Sequence, residues 1–205
     1  MSDTAAVAAA PESDVAARAT RSGPLTERQL RIRRFVRRLQ TLADPERADR
    51  ATLAALREGL RRRPGDVYPL AAAKMAPEVV PFVVEDEEKR GDDRWFYTVA
   101  ALFALHPKHA DDARSLGSSF HALADEAGSD SVSARFTGLI AARPEYLPDH
   151  LRHAVSLLKA HDVPINYVRL LEDLLAWEDA ERTVPLRWAR DFYRKAPIAA
   201  DAAAE

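Results

Sequence analysis

Apolar residues recur at three- and four-residue spacing through almost all of this 205-residue chain, and no stretch alternates β-branched with polar residues as a half-buried strand would. That period leaves one fold class open, all-α. The length fits one helical-bundle-like domain of about eight or nine helices, in one body or two lobes. Its expected extent is 24–196. Residues 1–23 and 197–205 are Ala-, Pro- and Ser-rich with no apolar period and read as tails.

Helix punctuation sets the boundaries. Thr26 and Gln29 form a capping box for a first helix, whose expected buried stripe is Leu25, Ile32, Phe35, Val36, Leu39 and Leu42. A second helix starts at Pro45 or Asp49, buries Leu53, Leu56 and Leu60, and runs to Arg63 before Pro64-Gly65. Pro69, Pro77 and Pro81 predict two short pieces rather than one helix across 67–84. The run WFYTVAALFALH, apolar on nearly every side, predicts a central core helix from Asp93 to His106. Five further helices follow: Arg114–Ala127, one capped by Ser129 or Ser131, one opened by Pro148, one capped by Asn166, and a last from about Pro185. The last is expected to bury Leu186, Ala189 and Phe192, with Arg187, Arg190 and Arg194 on its other side.

The formal net charge of -2 conceals an asymmetry. From Arg18 to Arg63 there are 14 Lys/Arg against 5 Asp/Glu, whereas residues 64–205 hold 16 against 24. A coding bias accounts for arginine over lysine but not for clustering. Arg31, Arg33, Arg34, Arg37 and Arg38 fan over the arc of the first helix opposite its apolar stripe. Arg57, Arg61, Arg62 and Arg63 crowd the end of the second, where complementing the helix dipole explains one or two cations, not four. Guanidinium groups on helical faces hold phosphate backbones without reading sequence.

Little else in the chain points to chemistry. With no Cys there is no disulfide framework, thiol nucleophile or thiolate metal site. No glycine-rich phosphate loop and no nucleophile elbow around Ser115, Ser118 or Ser119 is present. The acidic run 85–93 lacks the ligand spacing of a calcium loop. His150 and His153, with Glu172 and Asp173, are the one set from which a metal-dependent hydrolase can be drawn, but the motif of a di-iron bundle is missing. Trp177, Trp188 and Tyr193 read as packing residues. No cofactor, metal or catalytic residue is therefore expected. No apolar run approaches a membrane span, and the acidic N-terminus lacks a signal-peptide pattern, so a soluble cytoplasmic protein is expected.

Over residues 50–194 the segments ALFALHP, LPDHLRHAVSLLK, INYVRLLEDLLAW and LRWARDFYR, in this order and spacing, resemble the CasB family, the small subunit of the type I-E CRISPR Cascade surveillance complex. The resemblance implies a helical protein without enzymatic activity, present as a pair of copies. It also implies contacts to crRNA, to target and non-target DNA and to the other Cascade subunits, in antiviral defence. By motif it carries over Arg57 and Arg61 in LREGLR, Arg135 in SARF, Arg143 after GLIAA, Arg152 in HLRH, and Arg187, Arg190 and Arg194 in LRWARDFYR; Arg62 and Arg169 complete the candidate nucleic-acid-binding set. Ser118 departs from the pattern, since relatives carry a basic residue after LG. The competing class is a helical DNA-binding transcription regulator, which would prefer one duplex sequence by at least about a thousandfold.

Overall fold

The computed structural model describes residues 25–59, 69–83, 93–127 and 130–194. Among them are nine α-helices, a 3-10 turn and no strand: α1 (Glu27–Leu42), α2 (Arg50–Glu58), α3 (Pro69–Val79), the turn Val80–Phe82, α4 (Asp93–Leu105), α5 (Leu116–Ala127), α6 (Asp130–Ala141), α7 (Leu147–Ala160), α8 (Tyr167–Leu175) and α9 (Thr183–Phe192). The two expected tails, the end of the second helix from Leu60 to Arg63 and almost all of the acidic run lie outside the described residues.

The capping box closes α1 as its sequence predicts: Thr26 Oγ1 accepts from the Gln29 amide at 3.3 Å and the Thr26 amide donates to Gln29 Oε1 at 2.9 Å. Ile32, Phe35, Val36, Leu39 and Leu42 are buried. Leu25 is 41% exposed, because it precedes the cap and stands outside the helical stripe. Not all five outer arginines share one face. Arg38 turns aside to make a two-pronged bond with Glu78 of α3 at 2.8 and 3.1 Å, and Arg31 is half-buried.

Asp49, of the two expected starts, caps α2 through the Thr52 amide. The expected split of 67–84 falls later than the prolines indicate. One helix runs through Pro77, which forfeits a single backbone bond, and the chain tightens into the 3-10 turn only at Val80, beside Pro81.

α4 is the hub. Trp95, Phe96, Val99, Leu102 and Phe103 are buried on one broad face of it and Ala100, Ala101 and Ala104 on the others, as an apolar helix requires. On one flank α1, α2 and α3 pack around it, with Phe35 against Phe96 at 5.1 Å and against Phe82 at 5.3 Å. It also contacts α7 and α8, where Phe103 meets Tyr167 edge-on at 5.0 Å. The remaining helices form a second group in which α5 packs on α9, and α6 on α5, α7 and α9. The α5–α9 crossing depends on Gly117: a Cβ there would lie 2.2 Å from the Trp188 carbonyl oxygen. The same crossing half-buries Ser118, whose amide donates to Ser115 Oγ.

Smaller details differ from expectation. α5 opens at Leu116, because Ser115 caps it, donating its hydroxyl to Asp191 at 2.5 Å and accepting from Ser118. Of the two expected caps of α6, Ser131 lies inside its first turn and Ser129 lies outside the described residues; Pro148 is the second residue of α7 rather than its first. In α9 the inward set is Val184, Pro185, Trp188 and Phe192, and Leu186 is 54% exposed.

Candidate nucleic-acid interface

The candidate arginines divide by what surrounds them. Arg61 and Arg62 lie outside the described residues. Arg57 is exposed in the last turn of α2, its Nε donating to the Leu53 carbonyl at 3.2 Å.

Arg169 and Arg187 are committed to the fold. Asp173 of α8, 2% exposed, accepts from Arg187 at 2.5 Å on one oxygen, which also ion-pairs with Arg169 Nε at 3.2 Å, and from Trp188 Nε1 at 2.5 Å on the other. Burial pushes the Asp173 carboxyl above its usual range, opposed by the Trp188 N–H and by both guanidiniums. A buried carboxylate with donors on both oxygens ties α8 to α9, and it draws both arginines into the structure. Arg169 also reaches Glu172 at 3.8 Å.

Arg135, Arg143, Arg152, Arg190 and Arg194 behave differently. No carboxylate among the described residues lies within ion-pair distance of any of them. Two of them come from the packed helices α6 and α7. Arg135, on α6, overhangs an open groove of about 640 Å³ against α7, whose walls include Gly138, His150, His153 and Leu157. Arg152, on α7, lies beside the same groove with its Nη2 3.2 Å from His153 Nε2. On the other side α6 packs on α9, and Thr137 Oγ1 stands 3.3 Å from the hydroxyl of Tyr193, which follows the helix that carries Arg190 and precedes Arg194. Arg143 lies apart, in the α6–α7 turn, where a second depression gathers Arg94 and Arg182 with Glu145, Glu178 and Asp179. Arg94 pairs with Glu178, and Arg182 donates to the Ile140 carbonyl at 3.0 Å.

Tyr193 differs from its sequence assignment. It is 59% exposed, whereas Trp177 and Trp188 are buried. Two consecutive aromatics at a helix end cannot both face the core, and Phe192 takes that place, stacked on Phe136 at 4.2 Å.

The metal-hydrolase alternative finds no support in the geometry. Among the described residues no three His, Asp or Glu side chains gather as a metal site would, and Asp173 is already enclosed by Arg187, Trp188 and Arg169. His121 is engaged by the Phe192 carbonyl at 2.9 Å and by Asp125 at 3.4 Å. No described helix is long and apolar enough to cross a membrane.

Comparison with known proteins adds three findings. The profile described as CRISPR-associated protein Cse2 matches residues 52–193. A CRISPR-associated protein Cse2 from Thermus thermophilus is 38% identical over 149 residues, spanning 72% of this chain and 82% of the relative. Among solved structures, a crystal structure of a Cse2-family protein from Thermus thermophilus superimposes with a TM-score of 0.65 at 36% identity, covering 79% of this chain and 97% of that one. A chain of a CRISPR RNA-guided surveillance complex superimposes at 0.66 and 26% identity, covering 82% and 94%.

Proposed function

We propose that this chain, which belongs to the CRISPR-associated Cse2 family, works as a non-catalytic subunit of a type I-E CRISPR RNA-guided surveillance complex, where it holds nucleic-acid backbones. The partners in this reading are crRNA, target and displaced DNA, the other Cascade subunits and a second copy of the chain. In such a complex base pairing by the guide reads sequence, so a protein subunit needs only backbone contacts.

The observation that carries the reading is the set Arg135, Arg152, Arg190 and Arg194 around α6, none paired to a described carboxylate. Arg135, Arg190 and Arg194 are exposed and Arg152 is half-buried, and guanidiniums whose charge a fold leaves unneutralised can take phosphate oxygens bidentately. Arg143 extends the set at the end of α6. Arg187 acts one step behind, its bond to Asp173 fixing α9, which presents Arg190, while Arg169 braces the same carboxylate from within α8.

Replacing Arg135, Arg143 and Arg152 together with Ala tests this. The slope of log affinity against log salt for single-stranded DNA or crRNA should fall by about 0.7 for each phosphate that is no longer neutralised. An unchanged slope would remove these residues from the interface. A transcription regulator would instead show a strong preference for one duplex sequence in competition.

A further inference from the structure

Helix α1 lies outside the residues that the Cse2 profile matches. Its inner stripe packs on α2, α3, α4 and α8. Its outer stripe reads Leu30, Arg33, Arg34, Arg37 and Thr41, spaced so that all five fall within one arc, and all are exposed.

The fold makes no use of the three arginines on that arc. No carboxylate among the described residues lies within ion-pair distance of Arg33, Arg34 or Arg37. The half-buried Glu172 of α8 feels the field of Arg33, and of Arg28, without pairing with either. Within the helix Glu27 is the one acid, and the last turn holds no basic residue, so neither internal ion pairs nor the helix dipole accounts for the cluster. Arg33 with Arg37, and Arg34 with Arg38, are like charges four apart, an arrangement that weakens a helix rather than supporting it. A helix that carries such repulsion is suited to a polyanion from outside.

We propose that the outer face of α1, formed by Arg33, Arg34 and Arg37, is a second phosphate-backbone site that takes a nucleic-acid strand independently of the cluster around α6. The face has one exposed leucine and no aromatic anchor, whereas a protein interface needs an apolar, well-packed centre. A phosphate backbone needs only a row of forked donors, and Arg33 and Arg37 stand about 6 Å apart along the helix axis. The site is also structurally separate: α1 packs on α8 and on the helices before α5, while α6 packs on α5, α7 and α9.

The experiment uses the full chain and a fluorescent single strand of about 30 nucleotides, long enough to span both faces, titrated across a salt series. Arg33→Ala, Arg34→Ala and Arg37→Ala together should lower the salt slope by about two, for three phosphates released on a single strand. Combined with the Arg135, Arg143 and Arg152 replacements, the two decrements should add. Lysine at the same three α1 positions should restore most of the slope, since it retains the charge. A wild-type slope in the α1 variant overturns the proposal and leaves the α6 reading standing. A normal slope together with weakened binding to other complex subunits also overturns it, in favour of an acidic protein partner. A reduced slope only in the α1 variant, with the α6 variant unaffected, supports this proposal and removes the other.

Discussion

The α8–α9 junction and the surface of α6 both carry arginines, and they use them in opposite ways. At the junction Arg169 and Arg187 converge on Asp173, a carboxylate almost wholly removed from water. On α6 and α7, Arg135 and Arg152 meet no carboxylate among the described residues, and Arg152 has His153 beside it. The lesson is that a buried acid decides the fate of an arginine. Where one is within reach the cation becomes part of the core's polar framework, and where none is, its charge remains available to a partner.

The largest effect that would sharpen this contrast is at Asp173. Asp173→Ala strands the Trp188 N–H and two guanidinium groups beside a cavity, and should destabilise the fold by about 3 to 5 kcal/mol, the usual cost of breaking a buried pair. Urea unfolding would measure it. Asp173→Asn, which keeps an acceptor for Trp188, should cost less. If Asp173→Ala unfolds at the wild-type midpoint, the junction is not the structural tie described above.

The converse prediction concerns the α6 side. Arg135→Ala and Arg143→Ala, at exposed positions, should each leave stability within about 0.5 kcal/mol while weakening nucleic-acid binding. A variant impaired in both would place these arginines in the framework instead of at the surface, and the contrast would fail.

A third test uses pH on the linker that joins the two helical groups. His106 is buried with Nε2 donating to the Val163 carbonyl at 2.8 Å, and Tyr167 donates its hydroxyl to the His106 carbonyl at 2.6 Å. His109 accepts the Tyr167 amide at 3.2 Å on Nδ1. Burial pushes the pKa of both imidazoles down, with nearby carboxylates opposing. The unfolded chain therefore takes up these protons first, and stability should decline as pH falls below about 6.5 toward the depressed folded values. The urea midpoint at about pH 7.5 should exceed that at about pH 5.5, and replacing His109 with Gln should shrink the difference. No dependence across that window would mean that the two rings are not held neutral by burial.

What is legible in the sequence follows from how local each signal is. The caps at Thr26, Asp49 and Asn166 are readable because a cap is a contact between residues three apart. The α4 core is readable because an apolar helix has one place to go. Proline is a weaker signal than its chemistry suggests: Pro77 stays inside α3 because loss of one amide bond does not oblige a helix to end. The candidate site is half legible. Arginine positions are visible in one dimension, but whether Asp173 would neutralise Arg187, fourteen residues away, depends on α8 and α9 meeting in space.

The smallest predicted effect tests α9, the helix whose inner face differs from its sequence reading. Taking Leu186, Ala189 and Phe192 as the inner side gives a stripe that starts with a spacing of three, whereas the true stripe of Val184, Trp188 and Phe192 has period four and includes the indole that bonds Asp173. The choice between those stripes cannot be made within α9, because it is set by the acid on α8. Leu186→Ala should then change stability by less than about 0.5 kcal/mol, as expected of a side chain that is 54% exposed. Trp188→Ala at the same helix should cost about 3 to 5 kcal/mol, by removing a filled core volume as well as a buried donor. Equal losses in the two variants would mean that α9 can rotate to bury Leu186 in place of Trp188, and Arg190 and Arg194 would no longer stand at a fixed place beside α6.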